Sequence, residues 1–551
     1  MKTKQSIRKG ISLLAAGALA AGMLTGCGGN EETSAKTDAG TKTNTTSESS
    51  KSSSSEMGKV TYPVKDAEKF TYGMKFAGAW NDRYDSFDAL PLGQELEKKT
   101  GFDMDMVHVE GNQAMNLLLA SGELPDVLAY NFQSFYNGGE EKAIQDGLIY
   151  PMSEEFVKEN APDYWKAISE KPDILKQVKT SDGSIYGFAY IIGDEEAKGG
   201  YGLTLRDDWC EEFGLELPET ADEFYNLLKA FKEKKGAEVP FCLKSDTLIE
   251  MLQRGIVTSP FGLVCADNYV DDGKVVIGYE QPEFKDVLSW LNKLYEDELL
   301  DPNFSTIDDE TVKANMLTGK AGASVGAVGG FMGNLLSTNK DVADYSLAGI
   351  KNLVANKGDT PLYGHYNNDV VGIVTAITNS CRNPEEVAKF LNYGYTDEGH
   401  MLYNYGIEGK TYELKDGDLK FSDLVLDNPD GLTPQQVTAE YAMSYTNGPF
   451  VSDSKYSYNE DERQTVAKER FIANNAKEYK LPRVTINAED TSEYSSLLSE
   501  LTTYRDEMII KFVRGEESLD QYDNYVDTLK SMGVDRVQEI LQGAVDEYSK
   551  R

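Results

Sequence analysis

Short segments with alternating apolar and polar positions begin soon after residue 60. Apolar residues occupy every second position of segment 70–76, which is the period of a half-buried strand. Segment 102–109 repeats this period, segment 90–99 between them has helical spacing, and segment 124–130 has the composition of a short buried strand. This strand–helix–strand order favours an α/β fold with parallel strands.

Helix signals are strong in the second half of the chain. Thr220 and Glu223 have the spacing of a capping box, and apolar residues follow at positions i, i+3, i+4 and i+7 from Phe224. Asn383 followed by Pro384 has the composition of a helix N-terminus. Segment 497–545 carries three further apolar stripes of helical period, so we expect a helical C-terminal region.

The first 26 residues have the pattern of a bacterial export signal. Four basic residues and no acidic residue precede an apolar stretch at 11–24, which is shorter than the roughly 20 residues that span a bilayer. The sequence Leu24-Thr25-Gly26-Cys27 resembles a lipobox. We therefore expect a signal peptide at 1–26, lipidation of Cys27 (palmitate), and a location at the extracellular face of the cell membrane.

Residues 27–58 predict a tether between that lipid and a folded body. Ser, Thr, Lys and Glu dominate the segment, and no periodic apolar pattern is present. Such a composition cannot bury enough apolar surface to offset the entropy lost on ordering. We expect the folded part to begin near residue 60.

Charge and motif content exclude several functional classes. The 551-residue chain has 55 Lys and Arg against 92 Asp and Glu, a net charge of −37, which disfavours a nucleic-acid partner. With five cysteines and three histidines, it contains no CxxC, HExxH or P-loop motif, and we expect no metal and no cofactor. Apart from Cys27, the cysteines are expected to be small buried residues, and one disulfide among them stays open.

One run has the pattern of a serine hydrolase. Gly-Ala-Ser-Val-Gly around Ser324 matches GxSxG, with Asp344 or Asp369 and His365 or His400 as the remaining triad members. No well-capped helix follows the run, so a Gly-rich strand and turn is the preferred interpretation. A surface serine hydrolase is kept as a minor alternative, and the chain is expected not to be an enzyme.

Aromatic residues next to polar loop residues point to binding of a polyhydroxylated ligand. The chain has 32 tyrosines, and several aromatic residues lie beside Gly, Asn or Asp in predicted loops. A ring can stack on the C–H face of a sugar while carboxylates, amides and guanidinium groups bind its hydroxyls. Packing of the same rings beneath the surface is the competing interpretation.

Several motifs together resemble the family 1 extracellular solute-binding proteins of ABC importers, in particular their large lipoprotein branch. The match covers nearly all of residues 60–551. The segments that carry it are Ser121-Gly122-Glu123-Leu124-Pro125-Asp126-Val127, Asp182-Gly183-Ser184-Ile185-Tyr186-Gly187, Leu205-Arg206-Asp207-Asp208-Trp209 with Phe213-Gly214-Leu215 and Pro218-Glu219-Thr220, Gly319-Lys320-Ala321-Gly322, and Tyr525-Val526-Asp527-Thr528-Leu529-Lys530-Ser531-Met532-Gly533.

This resemblance implies a two-lobed periplasmic-binding-protein-like α/β fold with a hinge and a central ligand cleft. Lobe one would hold 60–188 and 326–378, and lobe two 189–325 and 379–551. A monomer anchored only by its lipid would capture an oligosaccharide and deliver it to the ABC permease; a peptide or another solute on the same scaffold is the alternative. The implied ligand-binding residues are Trp80, Asn81, Asp82, Tyr190, Arg206, Trp209, His365, Tyr366 and Tyr405.

Overall fold

The computed structural model describes residues 58–75, 80, 83–443, 448–455 and 461–551. The predictions for the signal peptide, Cys27 and the tether lie outside these residues, as do those for Phe76, Asn81 and Asp82. The strands of the described part are β1 (Phe70–Met74), β2 (Met104–His108), β3 (Val127–Tyr130), β4 (Phe188–Ile192), β5 (Tyr201–Leu205), β6 (Asn268–Asp271), β7 (Lys274–Ile277), β8 (Ala323–Ala327), β9 (Ala348–Gly349), β10 (Val370–Ile377), β11 (Tyr412–Lys415), β12 (Asp418–Phe421) and β13 (Val451–Ser452).

Helices fill most of the chain between these strands. They are α1 (Pro91–Thr100), α2 (Gly111–Ser121), α3 (Phe132–Phe135), α4 (Gly139–Gln145), α5 (Glu154–Asn160), α6 (Pro162–Ser169), α7 (Pro172–Gln177), α8 (Asp207–Phe213), α9 (Ala221–Ala230), α10 (Ser245–Gln253), α11 (Pro282–Glu296), α12 (Asp309–Thr318), α13 (Asn334–Thr338), α14 (Pro384–Asn392), α15 (Asp397–Tyr405), α16 (Asp423–Leu426), α17 (Pro434–Tyr441), α18 (Glu462–Ile472), α19 (Ala476–Tyr479), α20 (Thr491–Arg514), α21 (Tyr522–Ser531) and α22 (Val534–Lys550).

The first sheet has six strands in the order β13-β4-β10-β3-β1-β2. β1 runs parallel to β2 and β3, as the strand–helix–strand pattern predicts, and β10 runs antiparallel to β3 and β4. Val127 and Ala129 of β3 enter one hydrophobic cluster, whereas Leu128 and Tyr130 enter another. Both faces of this sheet are therefore covered, which explains the continuous apolar run in β3.

The second sheet consists of β5 flanked by β8 and β9, both antiparallel to it. Its largest hydrophobic cluster includes Leu203 and Leu205 of β5 together with apolar residues of α9, α11, α20, α21 and α22. The C-terminal helical region predicted from the stripes at 497–545 is thus part of the core around this sheet. β6 and β7 form a separate hairpin, as do β11 and β12.

Local sequence signals locate the helix ends well. The Thr220 hydroxyl accepts a hydrogen bond from the Glu223 backbone amide, and the Thr220 backbone amide donates one to the Glu223 carboxylate. The capping box at α9 is therefore confirmed. α14 begins at Pro384, as expected, but Asn383 makes no capping bond with its side chain. Its Nδ2 group donates a hydrogen bond to the Glu68 carboxylate.

The sequence-based lobe bounds differ from the sheet arrangement. Residues 189–192 of β4, expected in lobe two, belong to the first sheet. β9, expected in lobe one, pairs with β5 of the second sheet. The helices from α14 to α17 and strand β13, expected in lobe two, belong with the first sheet, whose core includes Leu391 and Phe450. An apolar stripe shows that a helix buries one face, but it does not show which sheet that face covers.

Several features that would define other protein classes are absent from the described part of the chain. No helix there is both long and apolar enough to cross a membrane. No group of three His, Cys, Asp or Glu residues there could hold a metal ion. Cys210, Cys242, Cys265 and Cys381 are free thiols, and the first three are buried.

Candidate functional site

The order of the described elements takes the chain between the two sheets three times, and the third passage includes residues 456–460, which lie outside the described part. One segment joins β4 to β5, a second joins β9 to β10, and a third leads from β13 to α18, which packs against β9. This is the arrangement of a two-lobed protein in which a small number of segments connect the lobes.

A network of polar side chains joins the first two connecting segments. The buried Lys198 ammonium contacts Glu195 (2.9 Å) and Asp369 (3.0 Å), and the Tyr366 hydroxyl donates to Glu195 (2.6 Å). Burial favours the neutral form of Lys198, but these two carboxylates outweigh it and raise the lysine pKa. Burial and the hydrogen bond to Glu195 raise the pKa of Tyr366 to about 12, so the phenol stays protonated near neutrality.

Next to this network lies a cavity of about 460 Å³. Gln133 lines it from α3 beside the first sheet, and α10 and β6 line it from the other lobe. The connecting segment at 363–368 and the segment at 480–483 complete the wall. The lining residues are Gln133, Glu250, Gln253, Arg254, Asp267, Asn268, Tyr363, Gly364, His365, Tyr366, Asn367, Asn368, Lys480, Leu481, Pro482 and Arg483.

Two of the cationic side chains in this wall are committed to carboxylates. Arg254 donates through Nε and Nη2 to Oε1 of Glu250 (3.0 and 2.6 Å), and Tyr201 donates to the other oxygen of Glu250 (2.7 Å). Arg483 pairs with Glu140 of α4, and both side chains are buried. The Arg483–Glu140 pair therefore links the segment at 480–483 to an element that packs with the first sheet.

Other polar groups of the wall have no partner in the described structure. The Nδ1 atom of His365 and the Oδ1 atom of Asn268 are buried without a hydrogen bond. Lys480 makes no ion pair within 4.0 Å among the described residues. Burial lowers the pKa of Lys480, and burial together with the charges of Arg254 and Lys480 lowers the pKa of His365 to about 3. The wall thus offers uncommitted donors and acceptors to a ligand.

Two of the site residues predicted from the resemblance, His365 and Tyr366, come together in this cavity. Tyr190, also predicted, is half-buried on β4 and packs edge-on against Phe450 at 5.2 Å between ring centroids. It does not belong to the cavity wall. The resemblance implied a place in the crossover itself, but Tyr190 belongs to strand β4, and its ring packs against the core of the first sheet.

Arg206 and Trp209 form a separate buried cluster in the second lobe. The Arg206 guanidinium lies between the rings of Trp209 (4.6 Å) and Tyr345 (4.4 Å) and forms a two-point ion pair with Asp208. Trp209 is 3% exposed and packs on Phe231. These contacts satisfy the side chains within the fold, and neither residue lines the cavity.

Trp80 and Tyr405 are buried in the first lobe. The Trp80 side chain is completely enclosed, and its indole N–H donates to the Ala439 carbonyl at 2.8 Å. Tyr405 lies beneath the β11–β12 hairpin, against Tyr412. Both rings serve packing here, which was the competing interpretation for loop aromatics, and neither presents a face to the cavity.

The GxSxG run around Ser324 is strand β8, as the preferred interpretation expects. Ser324 is fully buried, pairs in register with Thr204 of β5, and makes no hydrogen bond through Oγ. His365 belongs to the cavity wall, and His400 contacts Asp453 (3.1 Å). No histidine is therefore placed to deprotonate this serine.

The wall residues that the sequence reading missed are mainly polar: Gln133, Glu250, Arg254, Asp267, Asn268, Lys480 and Arg483. Glu250 lies within α10, and the others lie at a helix end, at a strand start or in a loop, where charged and amide residues are common on any protein surface. No local pattern distinguished them. Only their convergence from segments far apart in the chain marks them.

Two α/β lobes connected by three segments, with a polar cavity near the junction, define a ligand-binding protein of the two-lobed class. The family model described as bacterial extracellular solute-binding protein matches residues 79–401. This match covers more than half of the chain, and the chain belongs to that family. Members of the family are binding proteins and not enzymes, as was expected for this chain.

Three bacterial relatives are similar to this chain over 46–85% of their own length. Lipoprotein LipO of Bacillus subtilis (strain 168) is 26% identical over 387 residues, which are 67% of this chain and 73% of that protein. The polygalacturonan/rhamnogalacturonan-binding protein YtcQ of the same organism is 23% identical over 80% of this chain and 85% of that protein. The fructooligosaccharide ABC transporter substrate-binding protein FusA of Streptococcus pneumoniae serotype 4 (strain ATCC BAA-334 / TIGR4) is 28% identical over 44% and 46%.

A solved structure supports the fold assignment. The alginate-binding protein AlgQ2 without calcium ion superposes with a TM-score of 0.69 at 23% identity, covering 87% of this chain and 98% of that one. The two-lobed α/β fold expected from the sequence is therefore confirmed.

Proposed function

We propose that this chain is the substrate-binding component of an ABC transporter. It captures an oligosaccharide in the cavity between its lobes and delivers it to the permease. The lipid on Cys27 holds the protein at the extracellular face of the membrane. Support comes from the family match and from the named relatives, two of which are described as binding saccharides or as serving their transport.

The single observation that carries the proposal is the convergence of uncommitted polar groups from both lobes on one cavity. Gln133 comes from the first lobe and Asn268 from the second, and Oδ1 of Asn268 makes no hydrogen bond in the described structure. Amide side chains both donate and accept, which matches sugar hydroxyls. The Tyr366 ring offers a flat face for a pyranose or furanose. A ligand held from both sides stabilises the closed arrangement of the lobes.

Calorimetric titration with a panel of oligosaccharides tests this proposal, with short peptides as a second panel. We expect a saccharide to bind without turnover. The variant Asn268→Ala should weaken it by about 5- to 30-fold, because one hydrogen bond contributes about 1–2 kcal/mol.

Asn524→Ala is the matched control, since Asn524 is an exposed residue of α21 outside the cavity wall. If only peptides bind, the oligosaccharide proposal is wrong, and the same fold binds a peptide. If Asn268→Ala and Asn524→Ala lost the same affinity, the cavity would not be the binding site.

A further inference from the structure

Some charged side chains of the cavity wall form ion pairs with protein groups, and others do not. Five charged residues line it: Glu250, Arg254, Asp267, Lys480 and Arg483. Both oxygens of Glu250 are occupied by Arg254 and Tyr201, and Arg483 has its own carboxylate in Glu140. Among the described residues, the wall groups left without an ion pair are therefore the Lys480 ammonium and the Asp267 carboxylate.

Asp267 does not neutralise Lys480 by direct contact. One of its oxygens accepts from the Asn268 amide (2.8 Å), and no salt bridge within 4.0 Å joins it to Lys480 in the described structure. The Arg505 guanidinium also acts on Asp267, and lowers the carboxyl pKa against the stronger effect of burial. Asp267 and Lys480 act on each other through their charges, and Arg505 is a second cationic neighbour of Asp267. Lys480 has no carboxylate within 4.0 Å in the described part of the chain.

Arg254 also retains binding capacity towards the cavity. Its Nε and Nη2 atoms are used by Glu250, while Nη1 has no acceptor among the described residues. The guanidinium stacks over the Tyr201 ring at 4.8 Å, which fixes its plane. Both residues line the same cavity, and neither the Lys480 ammonium nor Nη1 of Arg254 has an acceptor among the described residues.

We propose that the saccharide bound in this cavity carries an anionic substituent, a carboxylate in the first place, which binds the Lys480 ammonium and the free edge of Arg254. This inference rests on the function proposed above and specifies its ligand class. Charge-assisted hydrogen bonds of this kind are about twice as strong as neutral ones. The neutral groups of the wall, such as His365 and Asn268, are left for hydroxyls.

Paired probes that differ only in charge test the inference. The full-length protein is titrated with galacturonic acid and mannuronic acid trimers, with their methyl esters, with a sulfated galactose trimer and with neutral trimers. We expect at least one acidic trimer to bind about 10- to 100-fold more tightly than its ester. If the sulfated trimer binds more tightly than both uronic acids, the ligand is still anionic, but its charged group is a sulfate and not a carboxylate.

Substitutions at Lys480 locate the preference. Lys480→Met should remove most of the difference between acid and ester, and Lys480→Arg should retain it. Lys477→Met is the matched control, because its side chain is 76% exposed on the neighbouring helix. Denaturation midpoints of all three variants show whether they are folded as the wild type is.

The outcomes separate this inference from the proposed function. Binding of neutral trimers with no gain for any acidic or sulfated probe overturns the anionic ligand and leaves oligosaccharide binding standing. An acid preference that survives Lys480→Met unchanged also overturns the assignment to this wall. Failure of every saccharide to bind contradicts both proposals.

Discussion

The pH dependence of stability should report the buried imidazole of His365. The ordinary pKa of histidine is about 6.5, whereas burial and the neighbouring Arg254 and Lys480 charges lower that of His365 to about 3. Between these values the unfolded chain binds a proton that the native protein excludes. The contribution of His365 to stability is therefore complete above about pH 6.5 and is lost progressively as the pH falls towards 3.

The size of this contribution follows from the two pKa values. Linkage gives a loss of about 2 kcal/mol from this one group when the pH falls from 7 to 5. We expect urea denaturation to show that the wild type loses about 2 kcal/mol more between these pH values than His365→Gln does. Comparing the two losses, and not the two absolute stabilities, cancels the many carboxyl groups that also titrate.

A direct titration provides an independent check. The sequence has three histidines, so the imidazole signals in an NMR spectrum are few, and the signal missing in His365→Gln identifies this ring. We expect that ring to remain neutral at pH 5. A titration midpoint near 6.5, or equal losses of stability in wild type and variant, would refute the reasoning, since either result means that the folded protein does not exclude the proton.

Two further substitutions test buried contacts. Glu140→Gln leaves the buried Arg483 guanidinium without its counter-charge, and we expect a loss of about 3–5 kcal/mol in urea denaturation; a loss below about 1 kcal/mol would mean that the pair is solvated. Trp80→Phe removes the hydrogen bond to Ala439 and should cost about 1–3 kcal/mol without changing saccharide affinity. If Trp80→Phe weakened saccharide binding without a loss of stability, Trp80 would have to be a ligand-binding residue.

Local signals predicted the elements because they are determined by neighbouring residues. The capping box of α9 and the buried run of β3 depend on residues within a few positions of each other. The partner of each element depends on contacts across the chain. For that reason the place of β9 in the second sheet, and of α14 beside the first, was not predictable from their patterns.

The site was predictable only where the resemblance supplied a position. His365 and Tyr366 were expected on a connecting segment and line the cavity. Trp80 and Trp209 carried the same local signature, an aromatic ring beside polar loop residues, yet both are buried. Whether such a ring faces a ligand or a core depends on which distant segments pack against it. The residues next to the ring in the sequence do not show this.

Net charge and local charge lead to different expectations about the ligand. A charge of −37 predicts repulsion of anions at long range, but salt screens such fields beyond roughly 8–10 Å. Inside the cavity the nearest groups dominate, and there Glu250 is neutralised by Arg254 while Lys480 is not. The acidic surface therefore slows the approach of an anionic sugar without opposing the contacts that would hold it. The net negative charge therefore disfavours a polyanion such as nucleic acid, which would contact a large part of the surface. It disfavours much less a single carboxylate that binds Lys480 inside the cavity.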